Sequence, residues 1–142
     1  MSLFQWDEAY SIDYPQLDKQ HLRWFQLAHE MHQAVVTGKG KAALVNSLAS
    51  FAAYTQQHFA SEEWLMLTSG YPDYPNHKQQ HEALTRKLAE LQRDLETDRA
   101  TVTMELLQFL KVWLGHHIRT VDLRVGTYLN ERARYFAARR TV

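Results

Sequence analysis

The stretch HFASEEWLM, residues 58–66, constrains this chain more than any other feature of it. At 3.6 residues per turn, His58 and Glu62 lie one turn apart and share a helix face with Leu65 and Met66. That face continues the positions Leu48, Phe51 and Thr55, so it points into a core. An imidazole and a carboxylate are thereby turned inward, where an uncompensated charge is costly or neutralises itself. The other helices must bring something to the same place that removes the cost.

Three breaks divide the chain. TGKGK (37–41), SGYPDYP (69–75) and ETDRA (96–100) collect most of the glycine and proline. Between them the apolar period is helical, with no sustained strand-like alternation. The third segment steps through His77, His81, Leu84, Leu88, Leu91 and Leu95 as one stripe. The second carries Leu44, Leu48, Phe51, Thr55, His58, Glu62 and Leu65. The first runs through His21, Phe25, Ala28 and Val35, entered from a Pro15–Asp18 turn that can cap it. The fourth runs through Leu106, Leu110, Trp113 and His117. Four amphipathic helices of roughly 20 residues with short connections predict an all-α, up-down-up-down four-helix bundle. At 142 residues the chain has the length of one domain. We expect a single domain over 1–142: an N-terminal arm over 1–14 carrying Trp6 and Tyr10, the bundle over 15–131, and a basic helical tail over 132–142.

Every stripe contains histidine: His21 on the first, His58 with Glu62 on the second, His77 with His81 on the third, and His117 on the fourth. Asp122 follows His117 by little more than a turn. Two histidines at i, i+4 can reach one metal. Burying five imidazoles and two carboxylates in one core without a counter-charge is prohibitive, and a metal centre removes the difficulty. The set has nitrogen and oxygen donors and no sulfur, which suits iron, zinc, manganese or copper. Seven ligands are too many for one tetrahedral zinc and fit two metals with bridging carboxylates. The Glu-x-x-His motifs of ferritin-like di-iron bundles are absent. HEMH at 29–32 falls one residue short of the zincin motif, since position 33 is glutamine. His29 and His32 are read as solvated or packing residues.

Two further expectations come from spacing. His117 and Asp122 are five apart, about 140° around a regular helix, so a π-type widening or kink between them is predicted. Glu62, one turn from His58, should be the ligand rather than Glu63, which points about 100° away.

DKQH (18–21), HFASEEWLM (58–66), YPDYPNHKQQH (71–81) and WLGHHIRTVD (113–122) together resemble the hemerythrin family, in order and across nearly the whole chain. The resemblance implies a four-helix bundle with a non-haem di-iron centre that binds O₂ reversibly. His77, His81 and His117 would hold one iron. His21 and His58 would hold the other, which keeps a position open, and Glu62 and Asp122 would bridge the pair together with an oxo or hydroxo group. The family's register also selects His117 over His116. Trp24, Phe59, Leu84, Trp113, Leu114 and Ile118 are available to line a dry O₂ pocket. Two positions depart from the family, which usually has Leu three residues after the first ligand and often Asn eight after it; here they are Trp24 and His29. Trp24 either narrows the O₂ route or turns outward to cover the bundle end with its N–H in water.

The rest of the sequence narrows the setting. Sixteen basic residues balance sixteen acidic ones, so total charge gives no reason to expect nucleic acid or an anionic membrane as partner. No apolar run approaches the ~20 residues needed to span a bilayer. The opening MSLFQWDEAY has no signal-peptide pattern, and cysteine is absent. A cytoplasmic monomer is expected. The leading function is non-enzymatic O₂ carriage, storage or delivery, with a protein partner for delivery. The alternatives are an O₂ or redox sensor acting through a partner, and a di-iron enzyme acting on peroxide or nitric oxide.

Overall fold

The computed structural model describes residues 3–140; Met1, Ser2, Thr141 and Val142, the ends of the expected arm and tail, lie outside the described residues. Helix α1 spans Pro15–Val36, α2 Lys41–Ser69, α3 Tyr74–Glu96 and α4 Met104–His116. A π-helical segment, His117–Asp122, joins α4 to α5, Leu123–Arg140, so the fourth rod of the bundle is one continuous helical run. No strand occurs among the described residues. The four-helix expectation holds, with helix ends falling at or beside the three breaks, of which the first two carry glycine or proline.

Local chemistry accounts for those ends. Pro15 occupies the first turn of α1, where its missing N–H costs nothing. Gly70 ends α2 in the left-handed conformation at φ 72°, and the Tyr71 N–H reaches back to Met66 O at 2.9 Å. Thr103 caps α4 by accepting the Leu106 N–H at 3.2 Å. One expectation is corrected. Asp18 does not cap α1. Its carboxylate instead accepts the Ser11 hydroxyl at 2.5 Å and the Ile12 N–H at 2.8 Å, because the arm passes close enough to compete for it.

The arm is thus part of the fold. Ile12 is buried against Gly126, where an added Cβ would stand 2.6 Å from the Ile12 carbonyl oxygen; only glycine admits this approach of α5. Trp6 and Tyr10 pack on Phe25, with ring centroids 5.8 and 4.8 Å from it. The core fills the bundle interior with Leu17, Phe25, Met31, Leu48, Phe51, Met66, Leu84, Leu107, Leu110 and Leu114, all essentially inaccessible. Dispersion and apolar burial here fix the helix faces, and with them the polar residues that share those faces.

Candidate metal centre

Each inward-facing stripe delivers its polar members to one region at mid-bundle. His21, His58, Glu62, His77, His81, His117 and Asp122 are all buried. Their ligand atoms form two overlapping groups. Glu62, His77, His81, His117 and Asp122 make one; His21, His58, Glu62 and Asp122 make the other. The two carboxylates belong to both. The structure therefore brings together every residue that the sequence singled out, and leaves His29 and His32 apart from it, with His32 packed edge-on against Phe4 at 6.4 Å.

Distances inside the cluster are short. His77 Nε2 stands 2.7 Å from Glu62 Oε1 and 3.1 Å from Asp122 Oδ1. His21 Nε2 lies 3.1 Å from Asp122 Oδ2, His117 Nε2 3.1 Å from Asp122 Oδ1, and His58 Nε2 3.4 Å from Glu62 Oε2. Yet none of the five Nε2 atoms, nor any of the four carboxylate oxygens, has a partner in hydrogen-bond geometry. The proximity is real but the directions are wrong for bonding to one another. Buried polar atoms are normally satisfied, and nine orphans converging on one volume are the arrangement of ligands about cations held between them. The donor set fits that reading.

The outer nitrogens agree. His58 Nδ1 faces Gln20 Oε1 at 2.7 Å, His81 Nδ1 faces Glu63 Oε2 at 2.9 Å, and His117 Nδ1 faces Gln80 Oε1 at 3.2 Å. An acceptor at Nδ1 keeps the proton there and leaves the Nε2 lone pair for the centre. Gln20 is itself held by donating Nε2 to Ser61 Oγ at 3.0 Å. Sequence reasoning missed these three orienting residues. The signal was present in the Gln of DKQH, the second Glu of SEEW and the Gln before His81, but nothing local says which ring each one meets.

Without cations the cluster redistributes protons. Burial opposes the His21 cation, but Asp122 and Glu62 more than offset it and raise its pKa to about 9. His77 behaves likewise and also reaches about 9. His58 is governed by burial and falls to about 3. Burial and Asp122 push the Glu62 carboxyl up, yet His21, His77 and His81 hold it below the usual range. Asp122 resists burial in the same way through His117, His21 and His77, and stays well below its ordinary value. Both carboxylates are thus held anionic, and the positive charge they require is supplied by protons that a metal would replace.

The register that admits Asp122 is the π-helix. Leu123 N–H bonds to Ile118 O, an i→i−5 step that brings residues five apart onto one face. The spacing argument is borne out at the predicted residues.

Aromatic rings enclose the site. Phe59 stacks on His81 at 3.7 Å and 3°, and Trp113 on His117 at 4.5 Å and 12°. Trp24 is 0% exposed, with its ring 4.9 Å from His58 and 6.2 Å from His21. Its N–H donates to Thr55 Oγ1 at 2.9 Å, and that hydroxyl donates in turn to Phe51 O at 2.7 Å. The outward-turned arrangement of Trp24 is therefore excluded. Leu84, Leu114 and Ile118 are buried in the core.

Comparison with known proteins agrees with this geometry. The family model for the hemerythrin HHE cation binding domain matches residues 13–129. The bacteriohemerythrin of Methylococcus capsulatus (strain ATCC 33009 / NCIMB 11132 / Bath) is 30% identical over 131 residues, covering 92% of this chain and 99% of that protein. The myohemerythrin of Sipunculus nudus is 32% identical over 121 residues, covering 85% of this chain and 89% of that one. A solved structure of wild-type hemerythrin superposes with a TM-score of 0.84 at 30% identity, covering 88% of this chain and 96% of that chain. No helix among the described residues is long and apolar enough to cross a membrane. With fold, ligand cluster and sequence in accord, this chain belongs to the hemerythrin family.

Proposed function

We propose that this protein binds O₂ reversibly at a di-iron centre held by His21, His58, Glu62, His77, His81, His117 and Asp122, and that it serves as a carrier or store rather than a catalyst. The observation that carries the proposal is the pair of overlapping ligand groups sharing Glu62 and Asp122. One group contains three imidazoles and the other two, which makes the His21–His58 side the one suited to an exogenous diatomic. Irons held there would supply the two electrons that O₂ takes on binding and returns on release.

The chain's own residues do the rest. Gln20, Glu63 and Gln80 hold three ring nitrogens in the ligating tautomer. Trp24, backed by Phe51, and Phe59 lie against His58 and exclude water from the His21–His58 side, which protects a bound diatomic from protonation and loss. The Thr55 hydroxyl, which accepts the Trp24 N–H, has its own proton committed to Phe51 O. Aromatic walls and a hydroxyl whose proton is already committed favour carriage over oxygenation.

Anaerobic iron loading followed by metal analysis tests the stoichiometry, with two irons per chain expected; one ion per chain would overturn the di-iron reading. Exposure to air and removal of O₂, followed by absorption, tests the function. A visible band that bleaches and returns over repeated cycles supports carriage, whereas rapid irreversible oxidation points to sensing or catalysis.

A further inference from the structure

The metal centre does not use the C-terminal part of α5. Leu129 is the last buried residue among the described residues, and every residue from Glu131 to Arg139 is exposed. Nine residues of helix extend roughly 13 Å past the bundle's packing. This segment also lies beyond residues 13–129, the part that matches the family model.

Its composition is not that of a neutral solvated end. Residues 131–140 hold four arginines against one glutamate, while the whole chain is balanced at sixteen of each sign. The remainder therefore carries the excess acid, and the even total conceals a segregated basic tip. Helix-dipole compensation accounts for Arg139 and Arg140 in the last turn, but not for Arg132 and Arg134, about two turns earlier.

Spacing sorts these residues. Arg132, Tyr135, Phe136 and Arg139 fall at i, i+3, i+4 and i+7, which is one face of a helix. Ala133, Ala137 and Ala138 occupy the other side with Arg134. On the basic face Tyr135 and Phe136 are 56% and 45% exposed. The Arg132 guanidinium lies 4.8 Å from the Phe136 ring centroid and the Arg139 guanidinium 5.4 Å from that of Tyr135, with Arg139 Nη1 donating to the Tyr135 hydroxyl at 2.7 Å.

We propose that this face of α5 docks the protein on an anionic phospholipid surface. The aromatic rings would enter the headgroup boundary while the arginines pair with phosphates above it. A free-standing convex helix has no groove to receive a partner's side chain, but it can lie on a planar interface that requires no complementary shape. Few cations and two rings give weak, reversible and salt-sensitive association. Each arginine contributes about a fivefold increase in partition. The inference is independent of the irons.

The test is co-sedimentation of the full chain with vesicles of phosphatidylcholine alone or mixed with phosphatidylglycerol, at low and high salt. At least tenfold stronger binding to the anionic vesicles, lost at high salt, is expected. The double variant Arg132→Glu, Arg139→Glu should abolish binding, and Tyr135→Ser with Phe136→Ser should weaken it severalfold. These positions are exposed, so helicity and iron content should not change in either variant. Equal binding to both vesicles, no binding to anionic ones, or undiminished binding by the variants would overturn the proposal. So would transfer RNA or polyglutamate competing as well as lipid, which would make the face a general polyanion site.

Discussion

At the scale of single residues, Trp24 distinguishes this chain's pocket. An indole where the family usually has leucine is accommodated because its ring fits between His58, Phe51, Phe59 and Trp113, and its N–H finds Thr55. Replacing it leaves space beside the His21–His58 pair and strands the Thr55 oxygen. Trp24→Leu should cost about 2 kcal/mol of stability and shorten the lifetime of the O₂ complex severalfold at unchanged iron content, followed as decay of the visible band. An unaltered decay rate would reduce Trp24 to packing. Glu63 carries a different expectation. It touches the outer nitrogen of His81, not the cluster interior. Glu63→Ala should still take up both irons, with affinity lowered about 10- to 100-fold, as for other partners that orient ligands. Glu62→Ala should lose the pair. Competition with a chelator of known strength separates the two variants, and the reverse ranking would show the bridge to be misassigned.

At the scale of elements, the π segment interrupts the regular helix, and its position between His117 and Asp122 ties it to the site. Removing Thr120 would restore regular i→i−4 bonding and keep α5 in register with the arm. It would also leave Asp122 four residues after His117, one turn on along the same face, so that both side chains still reach the centre. We expect the deletion variant to fold with unchanged helicity and an equal or higher melting temperature without metal. Cation binding should be kept, measured by competition with a chelator. Loss of the metal from a folded deletion variant would show that ligation needs the widened geometry itself and not only a shared face.

At the scale of the whole molecule, stability and metal content are linked through protons. In the metal-free protein His21 and His77 sit near pKa 9, against about 6.5 when unfolded. Groups raised on folding stabilise fully below the unfolded value and lose that contribution as pH climbs through the folded one. The metal-free chain should therefore weaken between about pH 6.5 and 9. His58, lowered to about 3, acts oppositely. Its contribution is present above the unfolded value and is lost as pH falls below about 6.5. Glu62 and Asp122, both lowered, add acid sensitivity below about pH 4. Stability without metal should thus peak near pH 6.5. Iron replaces the protons, so the alkaline decline should vanish in the loaded protein. Urea titrations from pH 6 to 9.5, with iron and with chelator, measure this; parallel curves would contradict it.

The sequence by itself determined the helices, their breaks and the identity of the inward-facing polar residues, because helical period and stripe membership are local properties of the chain. It also located the π widening, since five residues cannot span one face of a regular helix. It did not determine how Asp18 is used, because the arm that claims that carboxylate is placed only by Ile12 packing on Gly126. Nor did it decide the orientation of Trp24, which depends on a hydroxyl 31 residues away. The outer partners Gln20, Glu63 and Gln80 were equally silent, since each meets a histidine on another helix. Such contacts depend on how whole helices rotate and slide as their apolar faces close. Only the packed bundle sets those few ångströms, and with them which polar atom finds a partner and which is left for a metal.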